Sequence, residues 1–184
     1  MDREQTLLLL NNHQPADAHE ARMLEEIKRF VQRYDDFHSR SQLAGHLTGS
    51  AWIVDEKRTH ALLTYHGKFD CWVQLGGHVE DDPDMLSASW REAREESGLV
   101  EVHPLSTSIF DVDVHAIPAN PKEPAHFHYD IRFLFVADRS LPLVVSSESK
   151  DLAWVEIEKI AELTSEESVL RMVRKSISQY CGGD

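Results

Sequence analysis

Cysteine is scarce in this chain: Cys71 and Cys181 are its only two, far apart in 184 residues. That usage excludes a disulfide framework and fits a reducing compartment. Long hydrophobic runs are missing too. No apolar stretch approaches the ~20 residues needed to span a bilayer, which excludes a membrane-crossing helix. The opening MDREQTLLLLNNHQPAD holds only a four-leucine run with acids ahead of it, a poor secretory signal. Together these absences predict a cytoplasmic protein.

Basic residues are the third deficit, with 19 Lys and Arg against 32 Asp and Glu and a formal charge of −13. Such a field repels nucleic acid and anionic membrane, and no Lys/Arg run reverses it locally. A small anionic substrate is repelled as well, so an anion site in this chain needs bound cations. Internal repeats, linkers and low-complexity tracts are also absent. The length and an apolar fraction of 41% suit one soluble globular fold with a sizeable core.

What is present is an ordered alternation of elements. DAHEARMLEEIKRFVQRYDDF, residues 17–37, repeats Met23, Leu24, Ile27, Phe30, Val31 and Tyr34 at helical spacing, with Asp17 as its cap. HLTGSAWIVDE and THALLTYHG read as strands joined by a polar turn, and CWVQLGGHVE as a third strand. A helix starting at Asp82-Pro83 or Asp84 and stopped by Gly98 follows. LVEVHPLSTSIFDVDVHAI and AHFHYDIRFLFVAD read as two long strands separated by the proline-rich loop PANPKEP. DLAWVEI is a last short strand, and EIEKIAEL and SEESVLRMVRKSISQY are closing helices. The order predicts an α/β fold with a mixed sheet between helical layers.

The helix before Gly98 raises a question of charge. Glu92 and Glu96 are four apart, and Glu92 and Glu95 three apart, so they share one face. In a partly buried cleft with an effective dielectric of ~20, each pair repels by about 3 kcal/mol. On an open surface the cost is only ~0.2–0.5 kcal/mol, and Arg91 and Arg94 would offset it, so a solvated helix face explains the glutamates equally well. The preface LGGH favours a site. Hard cations such as Mg²⁺ take carboxylate and carbonyl oxygens, and glycines let backbone approach a ligand closely.

These residues carry a resemblance to the Nudix hydrolase superfamily. Its signature is Gly, five spacers, Glu, seven spacers, then Arg-Glu-apolar-x-Glu-Glu-x-Gly-apolar. Gly77, Arg91, Glu92, Ala93, Glu95, Glu96, Gly98 and Leu99 fill eight of the nine specified places, and Pro83 stands where the family has its first Glu. In the family that Glu supports the signature's Arg; Asp82 or Asp84 could do so here. The resemblance implies a Nudix-type α/β/α sandwich over residues 41–184, behind an N-terminal helical extension at 1–40.

It also implies a pyrophosphohydrolase of acid anhydrides, dependent on Mg²⁺ or Mn²⁺, that splits a diphosphate linkage in a nucleoside diphosphate derivative or similar small molecule. Carried over by position, Glu92 and Glu96 would be principal metal ligands, joined by the Gly76 carbonyl. Glu95 would bind metal or orient its water, and Arg91 would hold the glutamates in place. Glu148, on the loop before DLAWVEI, matches the place of a later ligand or general base, though an ordinary loop glutamate reads the same way. Homodimers are common among such proteins. The loop Ala116–Ala125 and the N-terminal helix are where the substrate's identity would be read.

Outside the signature, His126, His128 and Asp130 alternate along a strand and so share a face, with Phe127, Tyr129, Ile131 and Phe133 on the core face. With His78, the histidines are candidate contacts for phosphate or an additional metal, set against a surface strand end or histidines satisfied by carbonyls. Lys68 and His66 are further candidates for phosphate. Trp52, Trp72 and Trp90 read as packing residues, and Cys71 as a small buried hydrophobe. Two other functions on the same fold stay open here: an isomerase resembling isopentenyl diphosphate isomerase, and a non-catalytic ligand-sensing module.

Overall fold

The computed structural model describes residues 1–67, 70–121, 123–146 and 149–180. In chain order the elements are α1 (Arg3–Asn12), α2 (Ala18–Arg33), β1 (Gly45–Asp55), β2 (His60–His66), β3 (Cys71–Val73), β4 (Leu75–His78), α3 (Met85–Ser97), β5 (Val102–Pro104), β6 (Asp111–Ile117), β7 (His126–Ala137) and β8 (Ser149–Glu156). A 3-10 helix (Ile157–Glu162) and α4 (Glu167–Tyr180) follow. The class is α/β, a mixed β-sheet with flanking helices, as the order of elements predicts. Among the described residues no helix is long and apolar enough to cross a membrane.

The chain forms two compact units, and β1, β4, α3 and β7 contribute residues to both. The first comprises Met1–Ser50, Gly77–Ser89 and Thr107–Phe133. Here α2 begins where expected, because the Asp17 carboxylate accepts from the Glu20 N–H at 2.8 Å. It stops at Arg33, short of Phe37, since Tyr34 turns extended. Phe37 is nonetheless buried, and its carbonyl accepts from Leu47 N at 2.8 Å. Leu24, Ile27, Phe30 and Val31 form the buried stripe of α2, and the Phe30 ring stacks on Tyr129 at 4.0 Å. Helix α1, which sequence reasoning does not anticipate, is capped by Asp2 and tied to the end of α2 by Arg3, which donates to Val31 O and Tyr34 O. β6 and β7 run antiparallel with Asp111 opposite Arg132 and Ile117 opposite His126.

The second unit comprises Ala51–Gly76, Trp90–Ser106 and Leu134–Asp184. Its centre is β2, which pairs antiparallel with β3 and, from His60 opposite Glu156, with β8; Ile53 of β1 faces Leu62. Trp52, Ile53, Leu62, Leu63, Ile160 and Met172 are fully buried there, the Ile, Leu and Met side chains each worth roughly 1.5–3 kcal/mol of apolar transfer. The Trp52 indole N–H donates to Ser176 Oγ of α4 at 2.9 Å.

Several expectations need correction. The expected strand through residues 99–117 is two strands, because Leu105 N bonds Leu134 O while Phe110 N bonds Arg132 O, and residues 106–109 bulge out. The expected third strand is likewise broken at Gln74 into β3 and β4. EIEKIAEL forms a 3-10 helix, not an α-helix.

Candidate active site

Helix α3 is delimited by its own residues. Asp84 stands at its start, its carboxylate accepting from Ser87 N at 2.8 Å, so this acid is engaged in capping. At the other end Gly98 adopts φ +72°, and a Cβ there would lie 2.6 Å from Cβ of Val144. Only glycine closes that turn without strain or collision.

In the second unit, the last two turns of α3 carry the signature's Arg and glutamates, graded in exposure. Glu96 is only 7% exposed. Its Oε2 accepts from the backbone N–H of Gly76 at 2.9 Å, which fastens the end of a strand to an acid twenty positions later. Gly76 has φ +157°, a backbone conformation that residues with a side chain rarely adopt. The Glu92 side chain is 14% exposed and that of Glu95 60%. Arg91 Nη1 donates to Glu92 Oε1 at 2.8 Å and to Glu95 Oε2 at 2.9 Å. The glutamates are therefore not a loose solvated face: one is buried against backbone and the other two share a guanidinium.

Carboxylates beside a glycine backbone are the donor types a hard divalent cation takes. Among the described residues the ligand atoms that already converge within 4.8 Å are those of His46, His78 and His128, so the three glutamates would have to draw together around an ion. Lys68 and Glu148, also expected near this chemistry, lie outside the described residues. His66 ends β2 opposite Cys71 and Ser149.

In the first unit the structure brings His78, His126 and His128 together, and adds His46 and His115, which sequence reasoning does not single out. Ring centroids of His46 lie 5.0 Å from His78, 5.1 Å from His126 and 4.9 Å from His128. His115 stands opposite His128 in the β6–β7 register, with rings 5.4 Å apart. His126 Nδ1 lies 2.9 Å from the Pro124 carbonyl, which only accepts, so its hydrogen sits on Nδ1 and Nε2 faces His128 Nε2 at 3.3 Å. Burial, then the neighbouring imidazoles, pushes His128 down to about 2 and His46 to about 4, so both rings are neutral at physiological pH. The usable signal for His46 was the period-two row His46, Thr48, Ser50 at the start of β1, a polar face on a strand.

The polar stripe of β7 is not a simple pocket wall. Asp130 is 1% exposed and is occupied by Thr48, Ser50 and the buried Arg132, whose Nε donates to it at 2.7 Å. The face expected in the core also differs at one end, where Phe127 is 44% exposed. Phe127 instead helps line an open pocket of about 420 Å³ with Leu43, Ala44, Ile117, Ala125 and His126. Trp52 is buried as expected, while Trp90 is partly exposed, its indole N–H donating to Val102 O at 2.6 Å. Cys71 is half-buried rather than buried, and desolvation raises its thiol pKa, which disfavours the thiolate.

No curated protein matches the chain. Solved structures that resemble it include an Ap4A hydrolase from C. elegans, 17% identical over 74% of this chain and 98% of that one, with a TM-score of 0.58. A NUDIX-family hydrolase from Clostridium perfringens is 25% identical over 73% of this chain and 97% of that one, with a TM-score of 0.54. The dihydroneopterin triphosphate pyrophosphohydrolase of E. coli is 15% identical over 72% of this chain and 95% of its own, with a TM-score of 0.55. The family model of the NUDIX domain matches residues 46–175, so with the glutamate geometry above, this chain belongs to the Nudix hydrolase family.

Proposed function

We propose that the protein hydrolyses a diphosphate linkage in a nucleoside diphosphate derivative or similar small molecule, with Mg²⁺ or Mn²⁺ held by Glu92, Glu95, Glu96 and the Gly76 carbonyl. The observation that carries the reading is the bond from Gly76 N to Glu96, which sets a strand end beside the acidic face of α3. A divalent ion bound there neutralises phosphate charge and lowers the pKa of the attacking water. The chain's own acidity makes that neutralisation necessary, since its charge of −13 repels a free diphosphate.

Glu96 and Glu92, the less exposed pair, are the fixed ligands. Glu95, reaching into solvent, binds metal or orients water. Arg91 positions both Glu92 and Glu95. Glu148 is the candidate general base, and Lys68, His78, His126 and His128 the candidate phosphate contacts. Residues 1–40 act as a helical extension to the catalytic domain at 41–184, in a cytoplasmic protein free to form a homodimer.

Ap4A and dihydroneopterin triphosphate, named for two of the similar structures, are phosphoanhydrides, which directs the choice of test compounds. Purified protein is incubated with dinucleoside polyphosphates, nucleotide sugars, oxidised nucleotides, a pterin triphosphate and isopentenyl diphosphate, with Mg²⁺ or Mn²⁺, and products are followed by chromatography. Hydrolysis of at least one anhydride, lost in Glu96→Gln, is expected. Isomerisation of isopentenyl diphosphate without hydrolysis, or binding without any turnover, overturns the reading.

A further inference from the structure

We propose that His46, His78 and His128 form a binding site for one divalent ion of the zinc class, distinct in ligand chemistry from the carboxylates of α3. Each residue offers a ring nitrogen, and the three nitrogens lie within 4.8 Å of one another. Tetrahedral zinc with Zn–N of about 2.0–2.1 Å sets nitrogens about 3.4 Å apart, so small rotations of the rings close the site. The ligands come from β1, the end of β4 and β7, elements of regular structure that hold side chains in register.

His46 supplies the independent observation. It is 2% exposed, yet neither Nδ1 nor Nε2 has a hydrogen-bond partner. A core histidine kept for packing alone would have at least one nitrogen satisfied, because an unpaired buried polar atom is costly. A bond to a cation uses that lone pair.

The chemistry selects the ion. Imidazole is a borderline donor that suits zinc and its transition-metal neighbours, while Mg²⁺ and Ca²⁺ prefer oxygen. Metal binding requires neutral imidazole, and burial already keeps His46 and His128 in that form. A neutral His128 ring brings no positive charge of its own to a phosphate, and a cation held by it would supply that charge. An outer layer is present as well. His126, fixed by Pro124 O, faces His128, and Asp113 Oδ2 lies 3.7 Å from His115 Nδ1 beside the same ring. Three protein ligands leave the fourth position for water or an anion.

The test uses chelator-stripped full-length protein in excess Mg²⁺, which occupies oxygen sites, with Zn²⁺ affinity read by competition against a chromophoric chelator and geometry read from the visible spectrum of added Co²⁺. One Zn²⁺ per chain, a tetrahedral Co²⁺ band and a higher melting temperature with Zn²⁺ are expected. His46→Phe and His128→Asn should each weaken Zn²⁺ binding by roughly 100-fold or more, while His103→Ala and Glu92→Gln leave it unchanged. If His46→Phe fails to fold, His128→Asn decides. Zn²⁺ affinity that survives both substitutions, or is lost in Glu92→Gln, overturns the proposal. Mg²⁺-dependent hydrolysis is measured separately, so this site and the glutamate site stand or fall independently.

Discussion

Gly76 and Glu96 are twenty positions apart and joined by a single 2.9 Å hydrogen bond from backbone N–H to carboxylate. The bond gives Glu96 a structural duty as well as a chemical one, and the two separate by substitution. Gln keeps an oxygen that accepts from Gly76 N but removes the charge, whereas Ala removes both. Glu96→Gln should therefore melt close to wild type, and Glu96→Ala should be less stable by about 1–2 kcal/mol. Both should lose hydrolysis. Equal melting temperatures in urea and thermal scans would show that the bond contributes nothing to the fold.

Arg91 ties together Glu92 and Glu95, so its effect should appear through the metal. In Arg91→Ala the two carboxylates repel freely, and the Mn²⁺ concentration giving half-maximal rate should rise by roughly 10-fold, with a smaller change in substrate KM. A titration of rate against Mn²⁺ at saturating substrate checks this. An unchanged metal requirement would reduce Arg91 to a surface ion pair.

Arg132 is 2% exposed and meets Asp130, Asp111 and Asp113 at 2.7, 3.1 and 3.5 Å. Removing the cation leaves three buried carboxylates uncompensated. Arg132→Met should lower stability by about 3–5 kcal/mol, measured by denaturant unfolding. Replacing Asp130 as well should recover part of that loss, since the two effects belong to one network.

Asp55 governs a pH dependence at the β1–β2 turn. Burial pushes its carboxyl pKa up, but the N–H groups of His60 and Thr59 and the Thr59 hydroxyl outweigh it, for a net depression. A carboxyl depressed in the folded state adds stability above its unfolded pKa, and that stability is lost as pH falls through the folded value. Acid unfolding of Asp55→Asn, followed by circular dichroism, should start from lower stability at neutral pH and show a shallower loss below pH of about 4. Parallel acid limbs would refute the assignment.

Local chemistry was well represented in the sequence. The 3.6-residue period alone places Arg91, Glu92, Glu95 and Glu96 on one face, and Asp17, Asp84 and Gly98 mark helix ends through hydrogen bonds and a backbone angle reaching only a few residues away. The same is true of the β1–β2 hairpin, whose turn is built by Asp55 and its neighbours. Departures arose where a segment's conformation depends on distant partners. β5 and β6 separate because residues 106–109 lie outside the ladder that each makes with β7, and α1 forms although only Asp2 announces it, with Arg3 tied to the end of α2.

What the sequence determined by itself was the acidic, glycine-flanked helix and the family it belongs to, because that site is nearly contiguous and its spacing is set by helix geometry. Tertiary structure alone decided how far each glutamate is buried, that Asp130 serves Arg132, and that His46 joins His78 and His128. Strand register is set by long-range pairing and burial, not by residues a turn away, so histidines separated by dozens of positions become neighbours only once the sheet forms.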